Sequence, residues 1–213
     1  MNCSGIARAR GMWFVFLTCC MAAGLLILTA AVGPSTIRAA GAEHVSWNLI
    51  HVDFSTAVPT LRPGGVSFAL ADATHQITFT DSSGTFIAPA SGGTSGAATG
   101  GGTWATFEGS TKTGSGTYTV TGLVSWQMAN LAPPGSAIDL IDSAHDRANG
   151  NAVLRIQYSD GSDGVLGIGC HGPGAPAGIQ EGVIATKGYF TYWTGASHPP
   201  GVDINFTVFH ILK

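Results

Sequence analysis

Charged side chains are scarce in this chain: its 213 residues hold 9 Lys plus Arg and 12 Asp plus Glu. Beyond residue 42 six cations face all twelve acids, a net charge of −6, which disfavours a general basic surface for nucleic acid or acidic lipid. Helix formers are also few there, with three Glu, one Met and, apart from the terminal residue, two Lys. Long amphipathic helices and coiled coils are thereby disfavoured. Of the four cysteines, Cys3, Cys19 and Cys20 lie near the N-terminus, so Cys170 is the lone thiol of the remainder and no disulfide can form within it. Its setting at the end of Val165-Leu166-Gly167-Ile168-Gly169 favours burial as a small apolar residue.

What is present at the N-terminus reads as a targeting segment. Arg8 and Arg10 precede an uncharged, mostly apolar run from Met12 to Val32, and Ala40-Gly41-Ala42 is a small-x-small cleavage signature. The expectation is a signal peptide over residues 1–42. An uncleaved signal anchor spanning 12–32 is the alternative, because about 20 apolar residues cross a bilayer. Either way residues 43–213 are expected to be secreted or displayed outside the cytoplasm as a single domain, touching membrane only through an uncleaved N-terminal segment.

That portion is glycine-rich and built of short runs of Val, Ile, Thr, Phe, Tyr and Trp, the strand signature. Ten strands are expected, at Val45 to Phe54, Val66 to Ala71, Gln76 to Thr80, Thr85 to Ala88, Thr103 to Phe107, Gly116 to Met128, Ala152 to Ser159, Gly164 to Cys170, Gly182 to Trp193 and Ile204 to Leu212. The fold class is all-β, an antiparallel sandwich or closed barrel of about eight to ten strands with at most one short helix. Ser136 and Asp139 suggest a helical cap over Ala137 to His145, and an acidic loop reads equally well there. Residues 89–102, almost all Ala, Ser, Thr and Gly, read as a loop. Tyr158 to Val165 reads as a tight hairpin, and Lys187-Gly188 as a kink or a break between two strands. Tyr118, Val120, Val124 and Trp126 share one parity, with Gly122 marking a bulge.

Gly-Thr-aromatic tripeptides recur at Gly84-Thr85-Phe86, Gly102-Thr103-Trp104 and Gly116-Thr117-Tyr118, at spacings that suit a meander. Similar tripeptides occur in small ligand-binding barrels such as avidins and lipocalins and in dirigent-like barrels, over too few residues to carry any role across.

Candidate chemistry is sparse. Asp139, Asp142, His145, Asp146, Arg147, Asn149 and Asn151 form the densest polar cluster, and its oxygens suit calcium, with Asp142 and Asp146 as ligands. No EF-hand spacing is present, and a solvated acidic loop is the bland reading. The seven histidines show no chelating spacing. Cys170-His171 is the one adjacent soft pair, able to form a thiol or metal site only where a turn lets both face one cavity. Glu108, Glu181 and Asp53 are the carboxylates with the geometric scope for a glycosidase pair. Tyr192, Trp193 and His198, next to a Gly- and Pro-containing loop, suit an exposed ligand-binding rim. Asn205-Phe206-Thr207 is a glycosylation sequon inside an expected strand.

With no catalytic signature, the leading expectation is a non-catalytic binding or interaction module for a glycan or small apolar ligand, with no cofactor apart from the calcium candidate. A hydrolase or cyclase with a His and carboxylate site assembled by the fold is one alternative. A self-associating structural surface protein is the other. Oligomeric state is not legible.

Overall fold

A computed structural model describes residues 42–88, 98–194 and 203–212. The signal or anchor segment, most of the Ala/Ser/Thr/Gly stretch and His198 lie outside them. Among the described residues the chain is all-β. The strands are β1 (Glu43–Asp53), β2 (Thr60–Pro63), β3 (Val66–Leu70), β4 (His75–Ala88), β5 (Ala98–Glu108), β6 (Thr111–Leu131), β7 (Ile138–Asp139), β8 (Asp146–Tyr158), β9 (Asp163–Cys170), β10 (Gly182–Lys187), β11 (Phe190–Thr194) and β12 (Phe206–Leu212).

All twelve belong to one sheet, and its backbone is the meander β4-β5-β6, followed by the long pairing of β6 with β8. The outer edges of β4 and β8 each fork. Thr80 back to Gln76 pairs with β3, whereas Ser83 to Ala88 pairs with β1. Likewise Gly150 to Gln157 pairs with β9, whereas Asp146 to Ala148 pairs with β12. From the forks, β3-β11-β10-β9 closes an eight-strand ring with β4, β5, β6 and β8, and β1-β12 spans the same two strands by a shorter route. The fork on β4 coincides with a bulge between Thr80 and Ser83, where Asp81 takes a left-handed φ of 51°.

The second and third Gly-Thr-aromatic tripeptides are cross-strand partners, whereas Phe86 of the first faces Ala98. Gly102 faces Tyr118 and Trp104 faces Gly116, so these two aromatic rings lie opposite glycines. A Cβ on Gly116 would come within 3.2 Å of Trp104 Nε1, which donates to the Thr117 carbonyl at 3.0 Å. Gly84 and Gly100 face each other with still less room, because a Cβ on Gly84 would sit 2.1 Å from the Thr99 carbonyl oxygen.

The main core draws on every strand of the eight-strand ring and on β1 and β12. Trp47, Phe79, Phe86, Leu123, Leu154, Ile156, Tyr158, Leu166 and Phe209 are all at most 1% exposed. At one end Lys187 caps it, with Nζ 4.2 Å from the Trp104 ring centroid and 4.3 Å from that of Tyr158, and bonded to Asp160 and to Ser162 Oγ. A second, smaller core of Ile50, Val52, Leu61 and Val208, with Ala137, Ile141 and Phe206 packed on it, lies on the opposite face of β1 and β12. Residues 132–145 cross this face as a strap.

Four sequence expectations change, the first at residues 98–102, which open β5 instead of belonging to the loop expected over 89–102. The helix over Ala137 to His145 is absent: β7 pairs parallel with β2, and Ser136 Oγ turns back to the Pro133 carbonyl instead of capping. Backbone pairing of Ile138 and Asp139 to β2 and packing of partly buried Ile141 on the second core hold this strap in place, which a helix of the same residues could not reproduce. The shared parity of Tyr118, Val120, Val124 and Trp126 fails at Val124, which is 42% exposed. Bulges between Val120 and Gly122 and between Leu123 and Ser125 each add a residue, so Leu123 turns inward and Val124 outward. Finally, Gln76 to Thr80 and Thr85 to Ala88 are one bulged strand. Of the two readings of Gly182 to Trp193 the structure has the two strands, joined at Gly188 with φ 59° as a two-residue hairpin turn requires.

Candidate functional site

The fork on β8 borders an apolar cavity. Where β9 and β12 part, their facing backbone N–H groups have no strand partner, and an unpaired buried N–H is costly. Glu181, just before β10, fills the gap. Its carboxylate accepts the backbone N–H of His171 and, at 2.6 Å, that of Thr207, and lies 3.1 Å from Thr207 Oγ1. Asn149 on β8 ties the same corner, accepting the Gly172 N–H at 2.9 Å and donating to Asn130 and to the Pro173 carbonyl.

Glu181 and Asn149 stand at the edge of a cavity of about 170 Å³. Ile50, Val52, Leu61 and Val208 of the second core form its apolar wall, Ala132, Ser136 and Ala137 of the strap cover it, and Pro173 closes one side. The strap is pinned by Asp139, whose carboxylate accepts the Ile141 and Asp142 N–H groups and meets His210 Nε2 at 2.8 Å. Burial alone would raise the Asp139 pKa, but the bonds from His210, Ile141 and Asp142 outweigh it and hold the carboxyl below its usual value. Arg147 Nε lies 3.8 Å from the same carboxylate, and its Nη2 donates to Ser136 Oγ. Burial pushes Glu181 up to about 7 despite the His171 and Thr207 hydrogen bonds that oppose it.

Cys170 and His171 both line this cavity, because β9 ends at Cys170 and releases the next residue from strand alternation. Cys170 is 5% exposed, with Sγ 3.3 Å from the Thr207 carbonyl, and burial pushes its thiol well above the usual range. His171 Nδ1 bonds to the Ile179 carbonyl at 2.7 Å.

The other candidates lie elsewhere. Tyr192 and Trp193 point to opposite faces of β11: Tyr192 is buried in the core, and Trp193 is 60% exposed. Asp142 binds His145 Nδ1 with both oxygens at 2.8 Å, and among the described residues no three His, Cys, Asp or Glu side chains are grouped to hold a metal. Asp146 stands at the start of β8. Glu181, Asp53 and Glu108 line three separate depressions and so do not pair across one cleft. Asn205 of the sequon is buried, with Oδ1 accepting the Phe68 N–H at 2.6 Å, so in the folded chain it is not presented for glycosylation.

Thr207, Asn149 and Arg147 went unrecognised as cavity residues, since no motif joins positions 58 residues apart in sequence. Glu181 carried a usable signal: a lone carboxylate between a Gly- and Pro-rich loop and an apolar strand. In comparisons with known families, curated proteins and solved structures, the chain has no significant match.

Proposed function

We propose that this domain is a non-catalytic binding module that takes a small apolar molecule into the cavity at the β9/β12 fork. The observation that carries the reading is an apolar, strap-covered space of about 170 Å³ with one carboxyl group at its edge. Apolar walls supply affinity, and a few placed polar groups supply orientation, the usual division in ligand sites. An apolar cavity of about 150 Å³ is enough to hold a benzene ring. The size therefore favours a ring-sized ligand over a glycan. The ring of strands is read as a closed barrel with a filled interior, so the ligand lies outside the main core, between the wall and its strap. Export is part of the same proposal, supported by the Met12 to Val32 run and the Ala40-Gly41-Ala42 signature.

The test is a titration of the purified full chain with benzene, toluene and indole, followed by NMR. Saturable shifts at Ile50, Leu61, Ala137 and Val208 are expected, and they should vanish in Ala137→Leu, which fills the cavity from the strap. Shifts absent with every probe sink the proposal.

One observation favours a second reading. Glu181, raised to about 7, lies in the range that suits a general acid or base at neutral pH. In that reading a bound substrate exchanges a proton with Glu181, with His171 beside it. Turnover of a bound compound that is lost in Glu181→Gln would establish it over simple binding.

A further inference from the structure

At the end of the eight-strand ring that Lys187 caps, the β5–β6, β8–β9 and β10–β11 turns and the start of β4 surround an open depression of about 460 Å³. Ligand sites run to about 300–1,000 Å³ and recur at the mouths of closed strand rings. Two side chains that line it have no hydrogen bond, ion pair or ring contact among the described residues: Tyr189, which is fully exposed, and Glu108, which stands across from His75 at the strand ends. Nor does the β10–β11 turn call for a tyrosine. Gly188 supplies the left-handed φ of 59°, and the position after it is ordinarily Asn, Asp or Ser.

The depression combines aromatic surface with hydrogen-bonding groups. Tyr189 shares it with Phe107 and with Phe190, which is 41% exposed and fixed by stacking on His75 at 4.6 Å between ring centroids. Neighbouring exposed rings of this kind mark a binding site more than scattered exposure does. Carboxylates of Glu108 and Asp160 accept hydrogen bonds and donate none, so they call for a ligand with several donors. Thr113 donates to Thr106 at 2.9 Å, and Thr106 keeps its own proton for a ligand oxygen. Charge argues for a neutral ligand. Glu108 repels an anion, whereas a cation meets Lys187, already bonded to Asp160 and Ser162, and Lys112 beside the Phe107 ring. His75 is taken up by Asp72.

We propose that this end of the ring binds a neutral pyranose sugar, its C–H face packed on Tyr189 and Phe190 and its hydroxyls donating to Glu108 and Asp160. A pyranose ring is uncharged, has an apolar face and carries a rim of hydroxyl donors, which is the combination these residues leave unmet. The site shares no lining residue with the fork cavity and stands without a ligand there.

The test titrates the full chain, followed by NMR, with cellotetraose, maltotetraose, mannotetraose and galactotetraose, and with choline and glucuronate as charged comparators. Saturable shifts at Thr106, Thr113 and Phe190 are expected with at least one of the four saccharides and with neither comparator. Tyr189→Ala removes a wholly exposed ring, so its melting temperature should match wild type while its affinity for that saccharide falls about tenfold. Tyr189→Phe should keep the affinity, Glu108→Ala should lose it severalfold, and Ala137→Leu, which fills the fork cavity, should leave it unchanged. No shift with any saccharide overturns the proposal, and so does binding that Tyr189→Ala leaves at full strength or that Ala137→Leu abolishes. Choline or glucuronate bound as tightly as the best saccharide overturns the ligand class.

Discussion

Thr207 meets Glu181 twice, through its backbone N–H at 2.6 Å and its hydroxyl oxygen at 3.1 Å. Those contacts tie β12 to the start of β10, two strands with no ladder between them. One carboxyl group thus does at the β8 fork what strand pairing does elsewhere, and the cavity beside it exists because the two strands part there.

Stability should depend on pH through Glu181. Its folded pKa, about 7, is raised above the unfolded value, so the native state binds the extra proton. This contribution is complete below the unfolded carboxylate pKa and is lost as pH rises through about 7, by about 3 kcal/mol. Urea midpoints of wild type and Glu181→Leu, measured from about pH 4.5 to 8, should converge as pH rises. A constant difference between them would contradict the raised pKa.

Glu181→Gln should destabilise the fold at every pH, although glutamine is neutral and of similar size. The carboxyl receives backbone N–H groups on both oxygens, and an amide must present its NH₂ to one of them. A loss of about 1–3 kcal/mol is expected by chemical denaturation. Thr207→Val, which leaves the backbone N–H in place, should cost less, about 1 kcal/mol.

Replacing Asp139 by Asn should loosen the strap without opening the ring. The carboxylate serves two backbone N–H groups, His210 and Arg147 together, and His210 is fully buried. Global stability should fall by about 1–3 kcal/mol. Amide exchange at Ile138 and Leu140, which bond to Pro59 and Leu61, should accelerate more than exchange in β4 to β6.

Lys187→Met should weaken the capped end of the core by about 1–2 kcal/mol, because the ammonium lies over two aromatic rings as well as beside Asp160. Asp160 is held down at about 2, first by the Lys187 bond and then by those from Ser162. That share of the stability is present above the unfolded carboxylate pKa and is lost as pH falls through about 2. A double-mutant cycle with Asp160→Asn should show coupling at neutral pH and none in strong acid.

Gly84→Ala should be among the most damaging single-methyl additions. Its Cβ would stand 2.1 Å from the Thr99 carbonyl oxygen, which is backbone and cannot swing aside. A loss of about 3 kcal/mol or failure to fold is expected, against about 1–2 kcal/mol for Gly109→Ala, where no atom lies within 4 Å and the cost is that of a side chain at a φ of 58°. Thermal denaturation of the two variants decides it.

Much of the fold was legible because strand formation is local. Val, Thr and aromatic runs between glycines located most of the strands, and the three Gly-Thr-aromatic tripeptides marked β4, β5 and β6. The two short strands β2 and β7 escaped, since Leu61 and Ile138 acquire strand character only by pairing with each other's segments and with β1. Val124 escaped because a bulge is set by the partner strand, β8, and not by the residues that contain it. Of the site, Cys170, His171 and Glu181 were visible as isolated candidates. Trp193 and Tyr192 looked like one pair and are separated by the sheet.

By itself the sequence determined the strand-rich class, the acidic balance of residues 43–213 and the single thiol at Cys170, because composition and local alternation act within a few residues. Only the tertiary structure decided which strands share an edge. From that came the fork on β8, the unpaired N–H groups of His171 and Thr207, and the carboxyl of Glu181 drawn in to meet them. Edge sharing is a property of closure around the whole ring. Burial at the fork, which no local run of residues encodes, turns an ordinary glutamate into an acid poised near neutral pH.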